Sequence, residues 1–157
     1  REPIYTLDFE YACHQTFKEQ GCALEVFWNN LLLKTFSTLD NNGARNKASL
    51  TFSAREGANL LMVRETLKEG AGAFLDNLRL TRVGSNVSIL QNGDFEQLTA
   101  DNTQSRCECL TGWYSQSYLK PRFTTKFNSR SAYLAGNFIA QAFNFTSTLK
   151  FSNVISL

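Results

Sequence analysis

Three carboxylates, Asp76, Asp94 and Glu96, lie in two segments joined by the short stretch Gly84-Ser85-Asn86. Asp76 belongs to Ala73-Phe74-Leu75-Asp76-Asn77-Leu78-Arg79-Leu80. Strand alternation there predicts Phe74, Asp76, Leu78 and Leu80 on one face, with Leu75, Asn77 and Arg79 on the other. An ionised carboxylate in line with apolar residues needs a partner or a cation, because burying it bare is costly. If Ile89 to Glu96 returns as the second strand of a hairpin, Asp94 and Glu96 become the nearest acidic groups. An oxygen-lined site for a hard cation is one solution. A capped Asp76, or one paired with Arg79 or Arg82, is the other.

Two further carboxylates, Asp8 and Glu10, could do glycosidase work in principle. They alternate with Tyr5, Leu7, Phe9 and Tyr11, so a solvated strand face is the plainer reading. The chain has no G-x-S-x-G, P-loop, G-x-G-x-x-G or H-E-x-x-H, and His14 is its single histidine. The expectation is therefore a non-catalytic protein. Binding is the remaining chemistry. Sugar recognition needs aromatic rings against the apolar sugar faces, with amides and charges for the hydroxyls. Trp28, beside Asn29-Asn30, is a candidate, as are Tyr114 and Tyr118, which alternation groups with Gln116. Core or edge packing is the plain alternative for each.

The four cysteines are Cys13, Cys22, Cys107 and Cys109. Cys13 and Cys22 flank a polar loop between two predicted strands, so a disulfide closing that loop is the first choice. Each of them bonded to one of Cys107 and Cys109 remains open, because connectivity does not follow from sequence. One histidine at this spacing fits no zinc pattern. The sequons Asn86-Val87-Ser88 and Asn144-Phe145-Thr146 make Asn86 and Asn144 glycosylation candidates. With the cysteines they point to an oxidising setting, secreted or at the cell surface.

The elements that must position these groups read as strands. Tyr5 to Tyr11, Leu24 to Trp28, Leu31 to Phe36, Ala48 to Phe52 and Leu60 to Val63 carry period-two patterns, and Asn29-Asn30 suits a two-residue turn. Asp40-Asn41-Asn42-Gly43 is a loop, as is 98–108. Strands are also expected over 111–118, 123–127, 131–134, 138–145 and 149–157. No segment has a long 3.6-residue apolar period, which predicts an all-β chain. The 157 residues suit one domain, and thirteen Phe supply core material. A net charge of +2 implies no nucleic acid or other polyanion partner. No run of about 18 apolar residues predicts a membrane span. The start at Arg1 reads as a processed chain or an excised fragment.

"ILQNGDFEQ" followed by "GWY" resembles the first strands of jelly-roll modules of the galactose-binding-like superfamily. That superfamily includes carbohydrate-binding modules and related plant cell-wall proteins. "AYLAGNFIAQAFN" resembles the middle of such modules, and "YTLDFEYA", "CALEVFWNN" and "GAFLDNLRL" resemble their later strands. The resemblance implies an antiparallel jelly-roll β-sandwich, with calcium at Asp76, Glu96 and Asp94, and Trp113 in the core. The order is permuted: residues 1–83 match late strands and 84–157 early ones. One domain over 1–157 is the expectation, with a fragment of two tandem modules as the rival. Leu149 to Leu157 aligns with the same family position as Tyr5 to Tyr11, which implies an extra edge strand or strand exchange between molecules.

Two functional classes follow. The first is a lectin-like module whose partner is a glycan. The second is a structural or adhesive module that binds extracellular proteins, or copies of itself, through edges and loops.

Overall fold

The computed structural model describes residues 2–14, 21–38, 44–68, 70–100, 108–115, 121–124, 128–145 and 155–156. For 98–100, 108–110, 121–124 and 155–156 it describes the backbone. Thirteen strands and no helix form among these residues. In order they are β1 (Ile4–Cys13), β2 (Cys22–Trp28), β3 (Leu31–Thr38), β4 (Asn46–Ser53), β5 (Gly57–Glu65), β6 (Ala73–Arg82) and β7 (Leu98–Ala100). They continue with β8 (Glu108–Leu110), β9 (Tyr114–Ser115), β10 (Pro121–Thr124), β11 (Ser129–Leu134), β12 (Asn137–Phe145) and β13 (Ile155–Ser156). The chain is an antiparallel β-sandwich. One sheet has the order β10-β11-β6-β1-β4, and the other runs β13-β12-β5-β2-β3, with β9 also on β12. No helix of the described residues is long and apolar enough to cross a membrane.

Alternation builds the sandwich. In β1, Tyr5, Leu7, Phe9 and Tyr11 point inward and are buried, while Thr6, Asp8 and Glu10 face out. In β2, Leu24, Val26 and Trp28 point inward. Burying each large apolar side chain contributes about 1.5–3 kcal/mol. The same buried cluster takes Phe95, Trp113, Ile139 and Phe143 from beyond Gly84, so both halves of the chain pack into one core. The two-residue turn forms as expected: Asn29 and Asn30 have φ of 52° and 66°.

Cys13 and Cys22 form a disulfide, with Cα atoms 5.4 Å apart. The bond closes the loop as expected, and because β1 and β2 lie in opposite sheets it also ties the two layers together. Cys107 lies outside the described residues. Replacing both Cys13 and Cys22 by Ser releases a loop of about ten residues, and chain entropy then lowers stability by about 2–3 kcal/mol. Urea unfolding of the double variant measures this, and an unchanged midpoint would contradict the constraint.

Two expectations need correction around β6. First, a β-bulge shifts its register against β1. Asp8 stands opposite Arg79, but Glu10 stands opposite Asp76 rather than Asn77. The extra residue falls at Asn77, whose φ is 55°. The bulge exchanges the faces: Leu75, Leu78 and Leu80 all enter the core, while Phe74 joins Ala12 and Tyr133 in a separate outer cluster. Asp76 therefore shares the outer face with Phe74, not the inner face with Leu78 and Leu80.

Second, residues 89–96 form no strand. They run back along β6 with only scattered bonds: Ile89 N to Leu80 O at 2.8 Å, Leu78 N to Gly93 O at 2.9 Å, and a bridge between Thr81 and Ser88. Gly93 passes so close to β6 that a Cβ there would lie 2.1 Å from Leu78 O. Side chains fix this irregular path. Asn92 donates to Gln97 O and Thr111 O, accepts from Gln97 N, and its own carbonyl accepts from Trp113 Nε1. The buried Gln141 amide exchanges two hydrogen bonds with the Gln91 backbone. The C-terminal strand takes the first of its two expected places, an extra edge strand. Its described part, β13, pairs with β12 of the same chain, while β1 sits between β6 and β4, so the two do not compete for one position.

Candidate functional site

The exposed face of the second sheet carries the strongest candidate site. Directly opposed residues of an antiparallel ladder share a face. Val26, Val63 and Ile139 point into the core, so their neighbours Phe27, Met62 and Ala140 point out. Ala140 stands opposite both Tyr114 and Met62, Met62 opposite Phe27, and Phe27 opposite Leu32. One apolar row thus crosses β9, β12, β5, β2 and β3. Strand spacing makes it about 19 Å long. Tyr114 is 68% exposed and Leu32 45%, and Phe27 and Met62 are half-buried. Ala140, the smallest member, is buried between Tyr114 and Met62.

The adjacent row is Phe138, Arg64 and Glu25. The Arg64 guanidinium lies 4.8 Å from the Phe27 ring centroid and bonds Glu25 Oε1 through Nε at 3.0 Å. The ion pair fixes a planar fork of donors beside the aromatic row. Beyond Tyr114, the face opens into a pocket of about 380 Å³ lined by Gln91, Trp113, Tyr114 and Gln141.

Of the aromatics singled out from sequence that lie among the described residues, only Tyr114 stands on this surface. Trp28 is 5% exposed and packs against Phe52, Phe143 and Phe145, with ring centroids 4.7, 6.1 and 6.2 Å away. It is core and cannot stack on a ligand. Trp113 is core as expected. Gln116 and Tyr118 lie outside the described residues. Phe27, Met62 and Arg64 were missed.

The acidic residues singled out from sequence are the second candidate. Asp76 is fully buried, accepting hydrogen bonds from Ser129 Oγ at 2.7 Å and Asn77 N at 2.8 Å. Burial pushes its carboxyl up to about 6, those two hydrogen bonds oppose the shift, and the nearby charges of Glu96 and Asp94 add to it. Glu96 and Asp94 are exposed, and Glu96 Oε2 accepts from Arg130 N at 2.9 Å. The three carboxylates therefore face one another electrostatically. Among the described residues, no three His, Cys, Asp or Glu side chains are grouped closely enough to hold a metal ion by themselves. A calcium ion here would complete its shell with carbonyl oxygens and water, as hard cations do.

Asn86 is exposed in the loop after β6, where its carbonyl accepts from Arg79. Asn144 is exposed on β12, between β5 and β13. Both are open to a glycan. Compared with protein-family models, with curated proteins and with solved structures, the chain gives no significant match.

Proposed function

We propose that this chain is a non-catalytic, extracellular carbohydrate-binding module of the lectin type. The observation that carries this reading is the apolar row from Tyr114 to Leu32 beside the Arg64–Glu25 pair. The exposed Tyr114 ring and the half-buried Phe27 ring offer stacking surfaces for sugars, and the charged pair offers fixed donors and acceptors for hydroxyls. The inter-sheet disulfide and the two exposed sequon asparagines support secretion. The sequence resemblance to galactose-binding-like jelly-roll modules supports both. In this reading, Asp76, Glu96 and Asp94 hold a structural calcium ion that neutralises their mutual repulsion.

A glycan array with and without EDTA tests binding, followed by Tyr114→Ala and Phe27→Ala against the best ligand. Each loses roughly fivefold to tenfold in affinity, the worth of one aromatic contact. Full binding by both variants would remove the row from the site. A second reading, an adhesive module, is favoured by β3 and β4, which end their sheets with one side unpaired among the described residues. Concentration-dependent mass in the absence of glycan would support it.

A further inference from the structure

We infer that the exposed face of the first sheet carries a separate pocket for one uncharged, hydroxyl-rich sugar residue. A hollow of about 440 Å³ lies over β4, β1 and β6 at the Asn77 bulge, lined by Phe9 and Ala48 together with Asp8, Glu10, Lys47, Ser49, Asn77 and Arg79. Its back wall is fixed. Glu10 accepts from Arg45 Nη2 at 2.7 Å and from Asn77 Nδ2 at 2.8 Å, and Arg45 above all holds its carboxyl below the usual range.

The rest of the lining is unspent. Neither the Asp8 nor the Lys47 side chain has a hydrogen bond or ion pair among the described residues, and Arg79 uses Nη2 on Asn86 O. Asp8 is an acceptor, Lys47 and Arg79 are donors, and Ser49 is both. Each charge already has its opposite one strand away: Asp8 faces Arg79, and Lys47 faces Glu10. The pocket therefore asks for no net charge from its occupant. It asks for groups that donate and accept side by side, and adjacent sugar hydroxyls do that. A zwitterion would meet charges that are already offset. Of the strands beneath, β1 and β6 are central in their sheet and hold Asp8, Glu10, Asn77 and Arg79 in place, while Lys47 and Ser49 stand on β4 at its edge.

This inference shares only its class of ligand with the glycan reading of the second sheet, and the two can fail separately. The probes are D-galactose, D-glucose and D-mannose, titrated one at a time into 15N-labelled protein while backbone amide shifts are mapped. At least one sugar is expected to move the amides of residues 8, 47, 49, 77 and 79. It does so equally in a Phe27→Ala/Tyr114→Ala variant, and the shifts vanish in Asp8→Ala/Lys47→Ala. If that variant loses amide dispersion, Ser49→Tyr, which fills the hollow from an exposed position, replaces it. Shifts confined to the Tyr114 row overturn this pocket and leave the first reading intact. No shift at these residues with any of the three sugars overturns it too, as does movement with glycine or alanine instead.

Discussion

In chelator at pH 7, Asp76→Asn is expected to be more stable than the parent protein by about 1–3 kcal/mol. Folding raises the Asp76 carboxyl from 3.8 to about 6, so the folded chain holds that proton more tightly than the unfolded chain does. Stability from this group is then fully present below about pH 4 and is lost as pH rises through about 6, by up to about 3 kcal/mol. Asparagine keeps the shape and the acceptor for Asn77 N but carries no charge, so the variant loses this pH dependence. Calcium reverses the ranking: it stabilises the parent and does little for the variant. Melting both proteins at pH 4.5 and 7, with EDTA or calcium, decides the matter. Equal stabilisation of the two by calcium would separate Asp76 from the cation. A variant weaker than its parent in EDTA at pH 7 would show that the charge is not a burden.

Trp28→Ala is expected to lower stability by about 3–5 kcal/mol, the range for removing a large buried aromatic. The ring fills the space between Phe52 on one sheet and Phe143 and Phe145 on the other. Its Nε1 is buried without a hydrogen-bond partner among the described residues, so part of the ring's contribution is already offset. Trp28→Phe removes that orphaned donor and keeps most of the volume, and should lose less than about 1.5 kcal/mol. Urea unfolding gives both values. Glycan affinity gives an independent check: Trp28→Phe leaves it unchanged, whereas a loss comparable to that of Tyr114→Ala would return Trp28 to the binding surface.

Much of the sandwich was legible because its strands obey a simple alternation. β1, the hairpin through Asn29-Asn30, and β4 follow from period-two patterns alone. The same alternation grouped Trp28 with Leu24 and Val26 on the inward side, which was the sign that it is core. The segment 89–96 misled because it has apolar residues at strand-like spacing. Its Asn92-Gly93 dipeptide is a turn signal, and Asn92 and Phe95 take positive φ. Glu96 and Asp94 lie near enough to Asp76 for their charges to raise its carboxyl, but the face of Asp76 was not legible, since nothing in the composition of β6 announces one extra residue. The apolar row was invisible for another reason. Phe27, Met62 and Tyr114 lie far apart in sequence, and only the register of three ladders aligns them.

The bulge at Asn77 bears on how this chain tolerates insertions and deletions. Most single-residue deletions in a strand turn every later side chain to the wrong face. Deleting Asn77 would instead restore an unbroken ladder, but at the expense of one half of β6. Either Leu78 and Leu80 stay inside and Asp76 is driven into the apolar core, or Asp76 stays out and the two leucines are expelled. Any relative aligned to this chain should therefore show a one-residue gap here only together with an apolar residue in place of Asp76. An acidic residue at 76 and the extra residue at 77 are expected to be inherited as a pair.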